Sequence, residues 1–321
     1  MTHVLNTAQA PKVSIVLPTH DRLEFLREAV ASVRAQTCTD WELIVVDDGS
    51  TDGSVAYLDS LGDPRIVIVT EPHSGNPAAL RNLGVANAHS PWIAFLDSDD
   101  LWAPEKLELQ LTRLAENPES RWSCTGVSFI DDQGAAIPQQ GGRPYRAQSG
   151  WILERLLTFC AAATTPTLMI HRSLFDEAGG FDERVLLRED YDLELRLASK
   201  SEIHALPESL TFVRHHSGRT SSRTRVAELY RWNALVFRKF ARSATDRRLR
   251  NIGRRQCALQ LIHHARTLSR GGEHLSALSA SASAIRETPL RMNVWRSAAG
   301  CVLRALGKKD HERRHAPRSD S

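Results

Sequence analysis

Three acidic residues follow directly on an apolar segment in the stretch WIAFLDSDDLW, residues 92–102. Asp97, Asp99 and Asp100 lie so close in sequence that their charges repel, and a buried carboxylate without a partner is costly. Because Asp97 and Asp99 are two residues apart, both side chains lie on one side of an extended chain. The pattern predicts a divalent cation, Mg²⁺ or Mn²⁺, which prefers carboxylate oxygens and bridges them to phosphate groups.

Two other interpretations fit the same cluster. One is a solvated acidic turn that caps a helix beginning at Ala103. The other is a phosphatase of the haloacid dehalogenase type, which also places an Asp-x-Asp pair after an apolar strand. That class has Thr or Val two residues beyond the second Asp, where this chain has Leu101, so the phosphatase interpretation is the weaker one.

A second acidic pair, Asp47 and Asp48, ends the apolar run at residues 42–46. A carboxylate there can accept a hydrogen bond from the imide N–H of a base such as uracil, or from ribose hydroxyls. An Asx turn with Gly49 at positive φ is the alternative. Arg81 has the planar fork that suits a diphosphate, although a single helical arginine is more often a surface residue.

A third group of polar residues lies further along the chain. Glu189 and Asp190 begin a predicted helix. A carboxylate there serves either as a general base toward a hydroxyl nucleophile or as a favourable charge at the helix N-terminus. His215 and His216 end an apolar strand, and because neighbouring residues on a strand point to opposite faces, at most one of them belongs to the site.

The apolar pattern indicates the elements that must position these groups. Short apolar runs alternate with amphipathic helical patterns, which predicts a parallel sheet covered by helices on both faces. Three of the runs end in polar residues, and ligands bind at the edge where the carboxyl ends of parallel strands meet. The predicted strands are 13–17, 42–46, 65–69 and 92–96, and the predicted helices are 22–36, 54–61, 77–88 and 103–116.

Residues 120–222 are typical of a mixed extension of the same sheet, with strands at 164–170 and 209–216 and a helix at 186–200. From residue 223 onward the pattern is helical.

The composition is that of an ordinary globular protein, with 41% hydrophobic and 25% charged residues. No apolar stretch reaches the ~20 residues that cross a membrane, and the N-terminus lacks the features of a signal peptide. The five cysteines are scattered without CxxC spacing, which argues against a disulfide framework or a zinc site. These features predict a cytoplasmic protein.

The helical region is basic: residues 223–321 hold 22 of the 41 Lys and Arg but 7 of the 38 Asp and Glu. Its amphipathic segments 231–255 and 294–309 favour attachment to an anionic membrane surface or, equally, packing of these helices on the preceding domain. Nucleic acid binding is a weaker interpretation, because no recognition motif accompanies the charge, and we expect no nucleic acid partner.

Taken together, the motifs resemble those of the family 2 glycosyltransferases with the GT-A fold. The matching segments, in the family's order, are VSIVLPTHDR, SVRAQTCTDWELIVVDDGSTDGS, ALRNLGVANA, IAFLDSDD, GGFDE, REDYDLELRLA and VRHHSGRTS. The resemblance implies an α/β fold of the GT-A, Rossmann-like type, with a mostly parallel sheet, helices on both faces and a C-terminal helical appendage. It also implies inverting sugar transfer from a nucleoside diphosphate donor, with Mn²⁺ or Mg²⁺ as cofactor.

The resemblance also implies roles for single residues. Nucleotide-sugar binding is implied for Pro18, Thr19, Asp21, Asp47, Asp48, Arg81, Asp97 and Ser98, metal binding for Asp97, Asp99, Asp100 and His216, and catalysis for Asp190 and Glu189, with Asp190 as the base. The chain departs from the family at Asp21, where many relatives have Asn, and in having two histidines where many have one. The spacing from Arg214 favours His216.

These observations predict a disordered lead (1–11), a GT-A domain (12–222), a basic helical region (223–307) and a disordered tail (308–321). The expected activity is transfer from a UDP-sugar, favoured among donors, to a glycan or lipid-linked glycan in bacterial surface polysaccharide or lipopolysaccharide synthesis, at the inner face of the plasma membrane. We expect acceptor specificity to lie in the loops of 131–165. The alternative is a non-catalytic, sugar-nucleotide-binding scaffold on the same fold.

Overall fold

The computed structural model of the protein describes residues 11–137, 148–158, 163–216 and 226–314, without the side chains of Asn293 and residues 305–314. The chain divides into two compact units, Met1–Arg219 and Thr220–Ser321. Nearly all of the predicted disordered lead, the last part of the predicted tail and parts of the 131–165 loop region lie outside the described residues.

The first unit is built from strands and helices in alternation. Its strands are β1 (Val13–Thr19), β2 (Trp41–Asp47), β3 (Ile66–Thr70), β4 (Trp92–Phe95), β5 (Leu101–Trp102), β6 (Trp122–Ile130), β7 (Ala136–Ile137), β8 (Met169–His171) and β9 (Ile203–Arg214). Its helices are α1 (Leu23–Arg34), α2 (Ser54–Ser60), α3 (Pro77–Ala86), α4 (Lys106–Glu116), α5 (Leu153–Leu157), α6 (Arg172–Ala178) and α7 (Glu189–Ala198).

These strands form one sheet in the order β3-β2-β1-β4-β8-β6-β9-β5, with β7 paired to β6. The half made of β3, β2, β1 and β4 is parallel, as the alternating pattern predicted. In the other half, β8 runs antiparallel to both β4 and β6, whereas β6 and β9 are parallel. The predicted mixed extension of the sheet is therefore confirmed.

The register of the parallel strands brings their polar ends level with one another. Thr19 at the end of β1 pairs with Asp47 at the end of β2, and Asp47 pairs with Thr70 at the end of β3. All seven residues of β2 are buried, as expected for a central strand covered on both faces. Any ligand at this edge therefore meets side chains from several strands at once.

Helix α3 packs closely on the parallel strands. It starts with Pro77 in the first turn, and the side chain of the N-cap residue Asn76 accepts a hydrogen bond from the amide of Ala79. The close contact occurs at Gly84, where a Cβ atom would lie 2.4 Å from Cγ1 of Val16 on β1. The absence of a side chain at Gly84 thus lets the helix reach the sheet.

Three expectations differ from the structure. The strand predicted at 209–216 is β9, Ile203–Arg214, which begins earlier and ends before His215 and His216. Residues 164–170 do not form one strand: Thr165–Thr167 are a 3₁₀ turn, and β8 begins only at Met169. Pro166 lacks the amide proton that a strand ladder needs. The last helix also continues to Arg314, beyond the predicted start of the tail at Lys308; the sequence places opposite charges four residues apart there, which supports a helix.

The second unit is helical in its described part, as predicted. It comprises α8 (Val226–Ser243), α9 (Arg247–Arg270), α10 (His274–Glu287) and α11 (Met292–Arg314). The side chain of Asp246 caps α9 by accepting from the amide of Leu249, and Gly272 has positive φ in the turn before α10. Among the described residues, none of the helices combines the length and the apolar character that a membrane crossing requires.

We predict that Gly84→Ala destabilises the first unit. The added methyl group would overlap Val16, and overpacking of this kind costs about 1–3 kcal/mol. Urea unfolding followed by circular dichroism measures the change. Gly300→Ala is the control, because a Cβ there meets nothing closer than Arg304 Nη2 at 3.9 Å. Equal stability of the Gly84 variant and the wild type would contradict the close approach.

Candidate active site

At the ends of β1 and β2, which lie level in the sheet, two buried oxygen atoms have no hydrogen-bond partner among the residues that the structure describes. They are Oγ1 of Thr19 and Oδ1 of Asp47, whose residues are register neighbours and almost fully buried. The other carboxylate oxygen of Asp47 accepts from the amide of Ser50. Buried polar atoms rarely lack a partner, so this pair marks a position where a polar ligand would complete the hydrogen bonding.

Asp48 has a different role from its neighbour. Its carboxylate accepts hydrogen bonds from the amides of Ser74 (2.7 Å) and Gly75 (2.8 Å) and from the Ser74 hydroxyl (3.0 Å), and His73 Nδ1 lies 2.9 Å away. Burial alone would raise the pKa of Asp48, but these hydrogen bonds and the His73 charge together hold it below the usual value. Asp48 therefore fixes the loop before α3, and Asp47 retains an oxygen for a ligand.

The turn after β1 carries a backbone conformation that is rare for residues with a side chain. Asp21 has φ of +46°, and its carboxylate accepts from the amide of Thr51 at 2.7 Å while its own amide donates to Ser50 Oγ. The preceding His20 stacks on His73 with 3.9 Å between ring centroids. The turns after β1 and β2 and the loop before α3 thus hold one another in place.

Asp99 is the centre of a group of charged side chains. Arg22 Nη1 donates to its Oδ2 at 2.5 Å, and Nε2 of His216 lies 2.9 Å from the same oxygen. The ring of Phe25 packs against His216. The structure therefore brings together Asp99 and His216, two of the predicted metal ligands, and adds Arg22, which the sequence interpretation did not include.

Arg81 joins two of the predicted carboxylate clusters. Its Nη2 donates to Asp97 at 2.7 Å and its Nη1 donates to Glu189 at 2.8 Å. Burial acts against the charge of this guanidinium, but the two carboxylates raise the pKa of Arg81 above its ordinary value. Both Nη atoms of Arg81 donate to carboxylates, so a bound diphosphate would have to share these nitrogens with Asp97 and Glu189.

The two predicted catalytic carboxylates are distinguished by their contacts. Burial, and after it the adjacent Asp190 charge, raises the pKa of Glu189 even though Arg81 binds it. Asp190 is half-buried, and its Oδ1 accepts from the amide of Tyr191. The residue before the pair, Arg188, has φ of +71°. Such strain is found where the surrounding structure fixes a functional position, so the start of α7 fits a positioned base.

One turn further along α7, Glu194 is buried. Burial and the charge of Asp190 raise the pKa of Glu194 well above its usual value. One of its oxygens accepts from the amide of Ala163. Glu194 therefore lies close enough to Asp190 for the two side chains to interact electrostatically.

Asp100 and Arg214 connect the acidic turn, residues 97–100, to the last strand, β9. The amide of Arg214 donates to Asp100 Oδ1, and the guanidinium, which is fully buried, donates to the carbonyl of Asp99 and to Glu28. It also donates to the carbonyls of residues 131 and 132. Asp100 thus has a structural partner in place; its role as a metal ligand stays a prediction.

The remaining predicted residues lie beside these groups. Pro18 is in β1, opposite Val46, and Ser98 is buried between Asp97 and Asp99. Asn82, which the sequence interpretation did not assign, donates to the carbonyl of Phe181 and accepts from its amide. These bonds attach the GGFDE segment to α3. In the sequence, Asn82 stands out only as the neighbour of Arg81 in ALRNLG, and that position does not indicate which residue it contacts.

Asp99 and His216 offer an oxygen and a nitrogen that a divalent cation can take as ligands, and a cation there would share Asp99 Oδ2 with Arg22. The 2.9 Å between Asp99 Oδ2 and His216 Nε2 is close to the ~3 Å that separates neighbouring ligands in an octahedron with bonds of about 2.1 Å. Carboxylate and water oxygens suit both Mn²⁺ and Mg²⁺, whereas an imidazole nitrogen is a poor ligand for the harder Mg²⁺. A second set of potential ligands, His20, Asp48 and His73, has atoms within 4.8 Å of one another, but both oxygens of its carboxylate already hold the loop.

Comparison with known proteins identifies related enzymes. The family model for "Glycosyl transferase family 2" matches residues 14–175. A glycosyltransferase of Rickettsia felis without an assigned activity is 36% identical over 209 residues, or 64% of this chain and 33% of that protein. The chain thus spans about a third of the length of that relative. WfgD of Escherichia coli, named as a UDP-Glc:alpha-D-GlcNAc-diphosphoundecaprenol beta-1,3-glucosyltransferase, is 29% identical over 196 residues, or 60% of this chain and 72% of that protein.

Among solved structures, residues 1–349 of S. aureus TarS in complex with UDP-GlcNAc superpose with a TM-score of 0.72 at 19% identity, covering 94% of this chain and 92% of that chain. At this identity the likeness concerns the fold. The predicted α/β fold of the GT-A type with a C-terminal helical appendage is confirmed.

We predict that Asp48→Asn destabilises the protein by about 1–3 kcal/mol at neutral pH, because the amide cannot accept all the hydrogen bonds that Ser74 and Gly75 donate. The folded-state pKa of Asp48 lies below the 3.8 of an unperturbed group. Its contribution is therefore complete above pH 3.8 and is lost as the pH falls through the folded-state value.

Urea unfolding of wild type and variant at pH 6 and pH 3 tests this. The stability difference should shrink at the lower pH, and the exposed Asp59→Asn variant is the control. A difference that grows on acidification would contradict the role given to Asp48.

Proposed function

We propose that this chain, which belongs to glycosyl transferase family 2, is an inverting glycosyltransferase that moves a sugar from a nucleoside diphosphate to an acceptor hydroxyl. The observation that carries the proposal is the ion-pair chain Asp97–Arg81–Glu189. It holds the acidic turn after β4 next to the carboxylate pair that begins α7, although 92 residues separate Asp97 from Glu189 in sequence. A donor-binding group and a base are thereby adjacent.

The donor end of the site lies at the ends of β1 and β2. Thr19 and Asp47 each offer a buried oxygen that has no partner in the described part of the chain, and the Asp47 carboxylate suits the imide N–H of uracil or a ribose hydroxyl. We infer a UDP-sugar as the donor. The UDP-Glc in the name of WfgD and the UDP-GlcNAc bound to TarS support this choice.

The diphosphate end of the site lies at Asp97 and Asp99, with Ser98 between them. A divalent cation held by Asp99 and His216 would neutralise charge that develops on the leaving diphosphate. Arg22, beside Asp99, adds a fixed positive charge on the same side. Electrostatic groups fixed before the reaction stabilise the leaving group without reorganisation.

The base in this proposal is Asp190. Glu189 is held by Arg81, so it serves to position the start of α7 rather than to take the proton. Asp190 takes the proton from the acceptor hydroxyl as that oxygen attacks the anomeric carbon from the side opposite the diphosphate. The C1–O bond to the diphosphate breaks, and the configuration at C1 inverts.

The acceptor and the cellular role are proposed more broadly. We infer a glycan or lipid-linked glycan acceptor in the synthesis of a bacterial surface polysaccharide. The diphosphoundecaprenol acceptor in the name of WfgD supports this. We assign catalysis to residues 12–222 and contact with the anionic inner face of the plasma membrane to the basic region 223–307.

We predict that a UDP-sugar raises the melting temperature of the protein only when Mn²⁺ or Mg²⁺ is present. The measurement is a thermal-shift panel of UDP-, GDP-, CDP- and dTDP-sugars, each with either metal or with EDTA. A ligand at a hundredfold excess over Kd stabilises the folded state by about 2.7 kcal/mol. Asp99→Asn should abolish the metal-dependent increase in melting temperature, and Asp59→Asn should preserve it. No shift with any nucleotide in a folded sample would contradict the proposal.

We predict that Asp190→Asn lowers turnover at least about a hundredfold, the usual contribution of a general base, and leaves donor affinity nearly unchanged. Transfer and donor binding are measured on the same preparation by product formation and by calorimetry. Asp176→Asn removes an exposed carboxylate on α6 and is the matched control. Loss of donor binding together with turnover would assign Asp190 to the donor site, and unchanged turnover would remove it from the mechanism.

A further inference from the structure

Helix α11 carries apolar residues on the side that faces solvent. Met292, Trp295, Ala299, Val302 and Leu303 recur at spacings of three and four, so they form one face of the helix. Met292, Trp295, Val302 and Leu303 are exposed by 68%, 53%, 41% and 69%, and Leu290 just before the helix is exposed by 96%. We call these residues, with Ala299, the outer face of α11.

The opposite face of α11 is the one that packs within the second unit. Val294 and Cys301 are nearly fully buried, and Cys301 belongs to an apolar cluster with Ala265 of α9 and Ala280 of α10. Polar contacts secure the same side, since Arg266 donates to Ser297. The outer face is therefore not the side of the helix that packs in the core of the second unit.

A contiguous exposed apolar face usually marks a surface that meets another molecule or a membrane. Helix α11 is apolar on two opposite sides, whereas a surface helix normally buries one stripe and exposes a polar one. The outer face thus requires an occupant, and the charges around it indicate which kind.

The second unit, which carries the outer face, is strongly basic. Residues 226–314 contain 19 Lys and Arg but 6 Asp and Glu. Arg291 and Arg296 are exposed beside the apolar residues, and Lys308 and Lys309 follow in the same helix. Positive charges near a bilayer attract anionic headgroups, by ~1 kcal/mol each, whereas two copies of this surface would repel each other.

We propose that the outer face of α11 lies in the headgroup region of an anionic membrane, with the helix parallel to the surface. Trp295 suits this position because its indole body is exposed while its Nε1–H donates to the carbonyl of Pro289 at 2.8 Å. Trp and Leu on one face with Arg at its borders are typical of helices that lie in the interface. The inference extends the proposed function, since it names the surface that would bring the enzyme to a lipid-linked acceptor.

The test is flotation of the full chain with vesicles of phosphatidylcholine alone or mixed with phosphatidylglycerol. We expect binding to the anionic vesicles that weakens at high salt, and little binding to the neutral ones. Met292→Ser combined with Leu303→Ser should weaken partitioning about tenfold, because each change removes apolar surface from the contact. Leu275→Ser removes a still more exposed leucine, 85% accessible, from α10 and should bind like wild type.

Several outcomes would overturn the proposal. One is a wild-type protein that does not float with anionic vesicles, and another is a double variant that binds them as wild type does. A third is a wild-type dimer that the double variant makes monomeric, with vesicle binding unchanged, since the face would then be a contact between copies. The nucleotide thermal shift is recorded on the same samples. If it persists while flotation fails, the membrane surface is wrong and the donor site stands.

Discussion

The structure depends on the pairing of one buried guanidinium. Arg81 is almost inaccessible to water, and a charge in that position is tolerated only when partners compensate its lost hydration. Its two partners, Asp97 and Glu189, come from the end of β4 and the start of α7. Each of the three charges therefore needs the others. This requirement fixes how the parallel half of the sheet meets the segment that carries the proposed base.

The need of each buried charge for a partner also gives different roles to carboxylates that look alike in the sequence. Asp47 and Asp48 are adjacent, yet Asp48 is occupied by the loop before α3 and Asp47 keeps a buried oxygen without a partner. In the acidic turn, Asp100 accepts from the backbone of Arg214, whereas Asp99 faces Arg22 and His216. Neighbouring carboxylates that all pointed to one place would repel, so the fold directs them to separate cations and amides.

Much of the fold could be predicted from local patterns. Strands alternate with helices through residue 116, as the apolar pattern predicted. Contacts between distant residues could not be predicted this way. Arg22 meets Asp99 across 77 residues, and Asn82 meets Phe181 across 99. Neither contact is indicated by a periodic pattern in the sequence. Such a contact depends on strand order and register, which local sequence does not determine.

The connection between Arg214 and the acidic turn has a consequence for how the protein is made. Arg214 bonds to Asp100, 114 residues earlier in the chain, and to Glu28, 186 residues earlier. Chains are synthesised from the N-terminus, so the strands that end in Thr19, Asp47 and Phe95 leave the ribosome long before residue 214 does. A nascent chain that has not reached the end of β9 still lacks the guanidinium that connects α1 to the acidic turn. The acidic turn is therefore among the last parts of the first unit to gain all of its contacts during translation.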